Sequence, residues 1–250
     1  MGAAGDVREH PAVPLVRPLW RRLVVSIALL GVLDVLVLAS RYAGTGHTGR
    51  LDATLASLVP MRHGLLAVAG EAMADLGDPV PTAVLMALLA AAAWRWRRGR
   101  GLAVAVVAPG AAMIMTSLVL KPIIARTRGH ELAFPSGHTT AVASIAATAA
   151  ILVLGTPTLT IRVRRRLVAA LAVLVAVVGG CLVGRGIHYP TDVLGALGVV
   201  AAVVPPIAVV VDAFAEVGED GGAPGADAVG AGHPAGRPVE SPTDRFRAAS

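Results

Sequence analysis

The stretch Phe134-Pro135-Ser136-Gly137-His138-Thr139-Thr140 immediately precedes an apolar run over residues 141–155. Pro135 fixes the backbone ahead of that run, and the hydroxyl of Ser136 can cap the helix that the run predicts. Such a helix would point its free backbone N–H groups and its positive dipole end out of an apolar layer. The stretch therefore predicts an anion-binding site at a helix start, with His138 inside it.

The composition of the chain indicates that most of it lies in lipid. Of its 250 residues, 55% are hydrophobic and 15% are charged, and the mean hydropathy is +0.71, whereas a soluble domain has about 25% charged residues. The net charge of +6 comes from clusters at the ends of apolar runs. A nucleic-acid interface would interleave such cations with aromatic residues, so we expect the lipid bilayer, and no nucleic acid, as a partner. The single cysteine, Cys181, permits no disulfide within the chain.

Six apolar runs predict an all-α, polytopic membrane protein with six transmembrane helices. The runs cover residues 23–39, 80–94, 102–120, 139–154, 167–183 and 193–211. Residues 51–76 have helical spacing of apolar side chains and are expected to lie along the membrane surface.

Three regions follow from these runs. Residues 1–22 are predicted to be a cytoplasmic segment, residues 23–211 the membrane domain, and residues 212–250, rich in Gly, Ala and Pro, a disordered cytoplasmic tail. A cleaved signal peptide is the alternative for the first run, but the polar lead before it is long for such a peptide.

The basic residues predict the orientation of the spans. With both termini in the cytoplasm, 15 of the 22 basic residues and all three tryptophans fall on the cytoplasmic side, as the positive-inside rule requires. Lys121, Arg126 and Arg128 are the exception, because they cluster on the outer side. Lys121 is also the only lysine in the chain. Anchoring at the membrane surface is the alternative role for these cations, but their clustering favours an anionic ligand.

Three segments meet at the outer ends of spans three to six when the spans alternate in direction. They carry the candidate site residues, which are the cations Lys121, Arg126, Arg128 and Arg185, the donors Ser136 and Gly137, the histidines His138 and His188, and Asp192. Several cations together with N–H donors suit a phosphate group. Two histidines can supply the nucleophile and the proton donor that cleave a phosphate ester without a metal.

The spacing favours different roles for the two histidines. His188 and Asp192 are four residues apart around Pro190, which is well placed to start the last helix, so the carboxylate can orient the imidazole of a nucleophile. His138 has only Glu131 as a carboxylate nearby in the sequence and therefore suits the role of acid. Zinc binding by two histidines and one aspartate is the alternative, and the surrounding cations disfavour it.

At these positions the chain resembles the type-2 phosphatidic acid phosphatase (PAP2) family, which shares its site with the vanadium haloperoxidases. The motifs are Lys-Pro-x-x-x-Arg-x-Arg (121–128), Pro-Ser-Gly-His (135–138) and Gly-x-His-Tyr-Pro-x-Asp (186–192), and the resemblance covers residues 76–205. It implies a PAP2-like helical bundle in which His188 forms a phosphohistidine. It also implies that Asp192 orients His188, that His138 protonates the leaving oxygen, and that Lys121, Arg128, Ser136 and Gly137 bind phosphate.

Two positions depart from the family pattern. Gly129 follows Arg128 where the family has proline, which costs loop rigidity but no charge. An arginine is expected six residues before His188, but Leu182 stands there, after Cys181 in place of a serine. Arg185 is the nearest arginine and is the candidate replacement.

The resemblance implies a lipid phosphatase without cofactor or metal, acting at the extracytoplasmic face of a cell membrane. The implied substrates are phosphatidic acid, phosphatidylglycerol phosphate and undecaprenyl diphosphate. The abundance of Arg, Ala, Val and Gly is typical of a bacterial protein, and hence of an inner membrane. Two alternatives remain open. One is a lipid-phosphate binder or transporter with weakened catalysis, which the departure at Leu182 favours, and the other is a lipid phosphotransferase.

Overall fold

The computed structural model describes residues 14–59 and 65–220, which are almost entirely helical. The helices described are α1 Arg21–Tyr42, α2 Arg50–Ser57, α3 Leu65–Ala74, α4 Pro79–Ile114, α5 Lys121–Ile124, α6 Gly137–Leu154, α7 Ile161–Gly184 and α8 Pro190–Asp220. A π-helical segment, Met115–Leu120, joins α4 to α5. Two short strands, β1 Thr127–Arg128 and β2 Glu131–Leu132, pair in an antiparallel hairpin. The predicted all-α class is confirmed.

Five of the described helices are long and apolar enough to cross a membrane. They are Pro18–Tyr42, Gly99–Ile124, Gly137–Leu154, Ile161–Gly184 and Pro190–Ala215. A sixth span is obtained if the pair Gly70–Gly77 and Pro79–Arg95, bent by 71°, counts as one. The chain is therefore a multi-pass membrane protein with five or six spans, against the six predicted.

The long helix α4 reverses its direction between its two ends. A straight helix of its 36 residues would be about 54 Å long. However, Asp78 just before α4 and Lys121 just after the π-helical segment both lie beside the start of α6, at His138 and Gly137. The two ends of this stretch therefore meet, and its spans, Pro79–Arg95 and Gly99–Ile124, run in opposite directions, as expected for the consecutive apolar runs 80–94 and 102–120.

The segment expected along the membrane surface consists of two helices. α2 and α3 lie within residues 51–76, where helical spacing was predicted, and residues 60–64 between them are not described. Asp52 of α2 is fully buried, and Ala74 at the end of α3 packs against Val178 and Leu182 of α7. Both helices therefore contribute to the interior of the protein.

The end of α8 corrects the predicted start of the tail. α8 is helical to Asp220, so residues 212–220 are not the disordered segment that their composition suggested. Asp212 is buried, and its carboxylate accepts hydrogen bonds from the backbone N–H groups of Leu15 and Val16 at 3.0 and 2.8 Å. Residues 221–250 of the predicted tail and residues 1–13 of the predicted N-terminal segment lie outside the described residues.

The helices α4, α6 and α8 pack around small apolar side chains. This core includes Val104, Ala105, Ala108, Ala112, Ala143, Val200 and Val204. Small residues let membrane helices approach closely, and α1 uses the same device at Gly31, where a Cβ atom would collide with the backbone oxygen of Gly198 in α8. This packing brings the starts of α6 and α8 and the end of the span Gly99–Ile124 together at one end of the bundle.

Candidate active site

The start of α6 presents free backbone donors. Ser136 is fully buried, and its Oγ accepts a hydrogen bond from the backbone N–H of Thr139 at 3.2 Å, as an N-cap does. Its own N–H donates to the backbone oxygen of Asp192 at 3.0 Å. The N–H groups of Gly137 and His138 have no partner among the residues that the structure describes. The anion donors at this helix start are therefore these two amides together with the O–H of Ser136, because its Oγ acts in the cap only as an acceptor.

His188 lies in the turn between α7 and α8 with only 7% of its side chain exposed. Its Nδ1 is 3.6 Å from Oδ2 of Asp192 and has no hydrogen-bond partner among the described residues. This distance is slightly longer than a hydrogen bond, and contacts of this kind often tighten only when substrate binds. The predicted pairing of His188 with Asp192 thus has its geometry in the structure, with Nε2 on the opposite side of the ring.

Burial lowers the pKa of His188 from its ordinary value. The neighbouring Asp192 carboxylate partly opposes this shift, while the positive charges of His138 and Lys121 add to it. A lowered pKa keeps the imidazole neutral at neutral pH. The neutral ring retains the lone pair that a nucleophile requires.

His138 faces His188 and has a carboxylate partner that the sequence did not reveal. The two ring centroids are 5.7 Å apart, with an interplanar angle of 63°. Nε2 of His138 is 2.9 Å from Oδ1 of Asp78, the residue just before α4. Gly77 makes this approach possible, because a Cβ atom there would lie 2.6 Å from the Cα of His138. In the sequence, Asp78 belongs to a Gly-Asp-Pro turn. The polar side chain in this turn was the only feature that could have indicated a contact with the site.

Two of the four predicted cations, Lys121 and Arg128, lie at the site. Nζ of Lys121 lies 3.8 Å from the position that a Cβ atom on Gly137 would occupy, next to the free amides of α6. The guanidinium of Arg128 lies 4.2 Å from the ring centre of Tyr189, and its terminal nitrogen lies against Gly186. Both cations are therefore close to the turn that carries His188.

Arg185 is held at the rim of the site by acidic side chains. Its guanidinium is 3.2 Å from Oε1 of Glu71 and 3.7 Å from Oδ1 of Asp75, and 36% of its side chain is exposed. Leu182, where the family pattern expects an arginine, is fully buried in the apolar cluster around Val178. Leu182 thus contributes to apolar packing. The guanidinium of Arg185 pairs with two carboxylates of the protein and is not free to bind an anion.

Arg126 is the prediction that the structure corrects. The side chain was expected to bind phosphate, but it is completely buried. Its Nη1 donates to Oδ1 of Asp192 at 2.7 Å and to Oγ1 of Thr191 at 2.6 Å, and its Nη2 donates to Oδ2 of Asp52 at 2.6 Å. Because both terminal nitrogens have protein partners in the interior, Arg126 is a structural neighbour of the site and not one of its exposed cations.

The fold and the site define a multi-pass helical membrane protein with two facing histidines, a lysine and an arginine at one end of the bundle. Residues 121–213 match the family model of the PAP2 superfamily. The chain is also similar to the crystal structure of the first transmembrane PAP2 type phosphatidylglycerolphosphate phosphatase from Bacillus subtilis. That likeness has a TM-score of 0.59 and 25% sequence identity, and it covers 78% of this chain and 96% of the other. No curated protein sequence matches the chain.

These matches confirm the resemblance to the PAP2 family. The family match extends from α5 to α8 and so includes all three motifs that the sequence analysis singled out. The Bacillus subtilis protein has the same membrane fold over nearly its whole length.

Proposed function

We propose that this protein is a lipid phosphatase that cleaves a phosphomonoester or diphosphate through a phosphohistidine on His188, without a metal. The observation that carries this proposal is the arrangement of the two histidines. His188, oriented towards Asp192, faces His138 at a centroid distance of 5.7 Å. The family and the similarity to a lipid phosphatase support phosphatase activity in general.

The first chemical step would transfer the phosphoryl group to the enzyme. Nε2 of neutral His188 attacks the phosphorus, and the bond between phosphorus and the leaving oxygen breaks. His138, which in its protonated form makes an ion pair with Asp78, gives its proton to that oxygen. Lys121, Arg128 and the free amides of α6 stabilise the charge on the phosphoryl oxygens.

The second step would return the enzyme to its starting state. Water attacks the phosphorus of the phosphohistidine, His138 accepts a proton from that water, and the bond between nitrogen and phosphorus breaks. The products are inorganic phosphate and either the lipid alcohol, from a phosphomonoester, or the lipid monophosphate, from a diphosphate. Asp192 keeps Nδ1 of His188 oriented throughout, so that Nε2 remains the reactive nitrogen.

The substrate class and the side of the membrane belong to the same proposal. The site lies at the ends of apolar spans, so a lipid can keep its chains in the bilayer while its phosphate reaches the loops. The excess of basic residues at the opposite ends supports an extracytoplasmic site with both termini in the cytoplasm. Phosphatidic acid, phosphatidylglycerol phosphate and undecaprenyl diphosphate fit this chemistry equally.

One observation favours a second candidate, a lipid-phosphate binder with little turnover. Arg185 is paired with Glu71 and Asp75, and Leu182 supplies no charge. A site that lacks one phosphate ligand loses part of its transition-state stabilisation. The alternative of phosphoryl transfer to an acceptor lipid uses the same phosphohistidine and differs only in the second step.

The test is release of inorganic phosphate from a panel of lipid phosphates in detergent with a chelator present. The wild-type protein is compared with His188→Ala, Arg185→Ala and, as a matched control, His130→Ala, whose histidine is exposed in the β-hairpin turn. We expect activity in the wild type and the control and none in His188→Ala. A protein that binds these lipids but releases no phosphate from any of them would be the binder, and a requirement for added metal would contradict the histidine mechanism. Competition between acceptor lipid and water would identify the transferase.

A further inference from the structure

The buried residue Asp52 has a complete set of hydrogen bonds at the start of α8. Its Oδ1 accepts from the backbone N–H of Thr191 at 3.0 Å and from the hydroxyl of Thr191 at 2.6 Å. Its Oδ2 accepts from Nη2 of Arg126 at 2.6 Å and from the N–H of Gly49 at 3.2 Å. These four bonds use the whole acceptor capacity of a carboxylate. A residue of α2 is thus bound tightly to a helix more than 130 positions further along the chain.

Arg126 links Asp52 to the site. Its two terminal nitrogens bind different carboxylates, Asp52 and Asp192, and its guanidinium lies 4.2 and 4.3 Å from the ring centres of Tyr42 and Tyr189. These are the only two tyrosines in the chain. Because the planar guanidinium lies against two aromatic rings and binds two carboxylates, Arg126 is restricted to a single orientation.

The contacts of Asp192 complete the connection. Oδ1 of Asp192 is fixed by Arg126, and Oδ2 accepts from the N–H of Tyr189 at 3.0 Å. The remaining acceptor position of Oδ2 is the one next to Nδ1 of His188, at 3.6 Å. Arg126 and the N–H of Tyr189 together set the direction of this carboxylate, whose Oδ2 lies next to the His188 ring.

Stability alone does not account for this network. Three charged side chains, Asp52, Arg126 and Asp192, are completely buried, and buried ion pairs are often no more stable than apolar residues of the same volume. Burial opposes the charge of Asp52, but the hydrogen bonds from Thr191 and Arg126 outweigh it and hold the pKa of Asp52 below its ordinary value. The carboxylate therefore stays ionised and able to hold Arg126.

We propose that Asp52 is a positioning residue for the reaction, acting through Arg126 and Asp192 to orient His188. Asp52 touches neither substrate nor the reacting histidine, and its effect on the chemistry passes through two other side chains. The inference rests on the proposed function, because it gives Asp52 a role in making His188 a nucleophile. It also explains why an arginine of the first motif is buried when its neighbour Arg128 is at the site.

The test is a double-mutant cycle on kcat with a short-chain phosphatidic acid in detergent micelles. The variants are Asp52→Asn, Asp192→Asn and both together, with Thr54→Ala on the exposed face of α2 as the control. We expect Asp52→Asn to lower kcat by about 10- to 100-fold, because small misplacements of a catalytic group have effects of this size, and to leave KM nearly unchanged. In the double variant kcat should match that of Asp192→Asn alone, since the effect of Asp52 passes through Asp192.

Each outcome of the cycle decides the inference. Losses that multiply, or a kcat for Asp52→Asn equal to that of the wild type, would overturn it. If Asp52→Asn does not give a folded protein in detergent, Arg126→Lys takes its place. It keeps the charge but loses the fork, and the same non-additive loss of kcat is expected. A fully active His188→Ala would instead contradict the proposed function itself.

Discussion

The two histidines lie in two parts of the site that differ in the burial of their supporting residues. Behind His188 lie Asp192, Arg126 and Asp52, all completely buried and joined by hydrogen bonds of 2.6–2.7 Å. Beside His138 lies Asp78 with 48% of its side chain exposed. On the same side, Arg185 pairs with Glu71 and Asp75, whose side chains are 58% and 55% exposed.

This difference separates a fixed part of the site from an adjustable one. Buried charges in a low dielectric interact strongly and are costly to leave unpaired. Exposed pairs are screened by water and exchange partners at little cost. His188 is thus held in place by buried groups, whereas His138 and Arg185 at the rim have exposed partners and can rearrange, which suits the roles proposed for them.

The largest contrast is expected in stability. Arg126→Met leaves two buried carboxylates without their partner and should lower the free energy of unfolding by about 3–5 kcal/mol. Arg185→Met removes only exposed ion pairs and should change it by no more than about 1 kcal/mol. SDS-induced unfolding in mixed micelles measures both. Equal effects of the two substitutions would contradict the difference between the buried pairs of Arg126 and the exposed pairs of Arg185.

A smaller effect is expected from removing the carboxylate beside the acid. Asp78→Asn retains the shape of the side chain but removes the carboxylate charge that lies 2.9 Å from Nε2 of His138, so kcat should fall by about tenfold. His138→Ala, which removes the acid altogether, should have a larger effect. Asp75→Asn, which removes a nearby carboxylate that pairs with Arg185 and not with His138, provides the matched control. An Asp78→Asn enzyme with full kcat would show that Asp78 does not assist His138 in the reaction.

The smallest effect concerns the dependence of activity on pH. Protonation of His188 removes the attacking lone pair, so activity falls as the pH drops through its pKa in the folded protein. Burial lowers that pKa from the ordinary 6.5, and the acid limb of kcat/KM should therefore lie below pH 6.5. Profiles with two different lipid phosphates distinguish this shared limb from the ionisation of each substrate. A shared limb above pH 6.5 would contradict a buried, neutral nucleophile.

The motif residues and their common location could be predicted from the sequence. Proline and serine before an apolar run mark the start of α6, and the spacing of His188 and Asp192 around Pro190 places both side chains at the start of α8. Counting spans then puts these helix starts at the same end of the bundle. The structure has the histidines facing each other there, and the family match covers these motifs.

The carboxylates Asp52 and Asp78 could not be found in this way. They meet Thr191 and His138 across 139 and 60 residues, and no local pattern encodes such contacts. The role of Arg126 was missed for a related reason. Two arginines in one short loop look equivalent in the sequence, but Ala125 adopts the left-handed conformation with φ 51° at the turn from which Arg126 enters the interior.

The most direct test of the account is to trap the phosphoryl group on the enzyme. The protein is mixed with phosphatidic acid carrying a ³²P label, the reaction is quenched in alkali, and the labelled peptide is identified. We expect a label that is stable to alkali and labile to acid, as a phosphorus–nitrogen bond is, on the peptide that contains His188. The label should be absent from His188→Ala and should accumulate in His138→Ala with a substrate whose leaving group needs no acid. Phosphate release by the wild type with no label on His188 at any time would contradict a phosphohistidine mechanism.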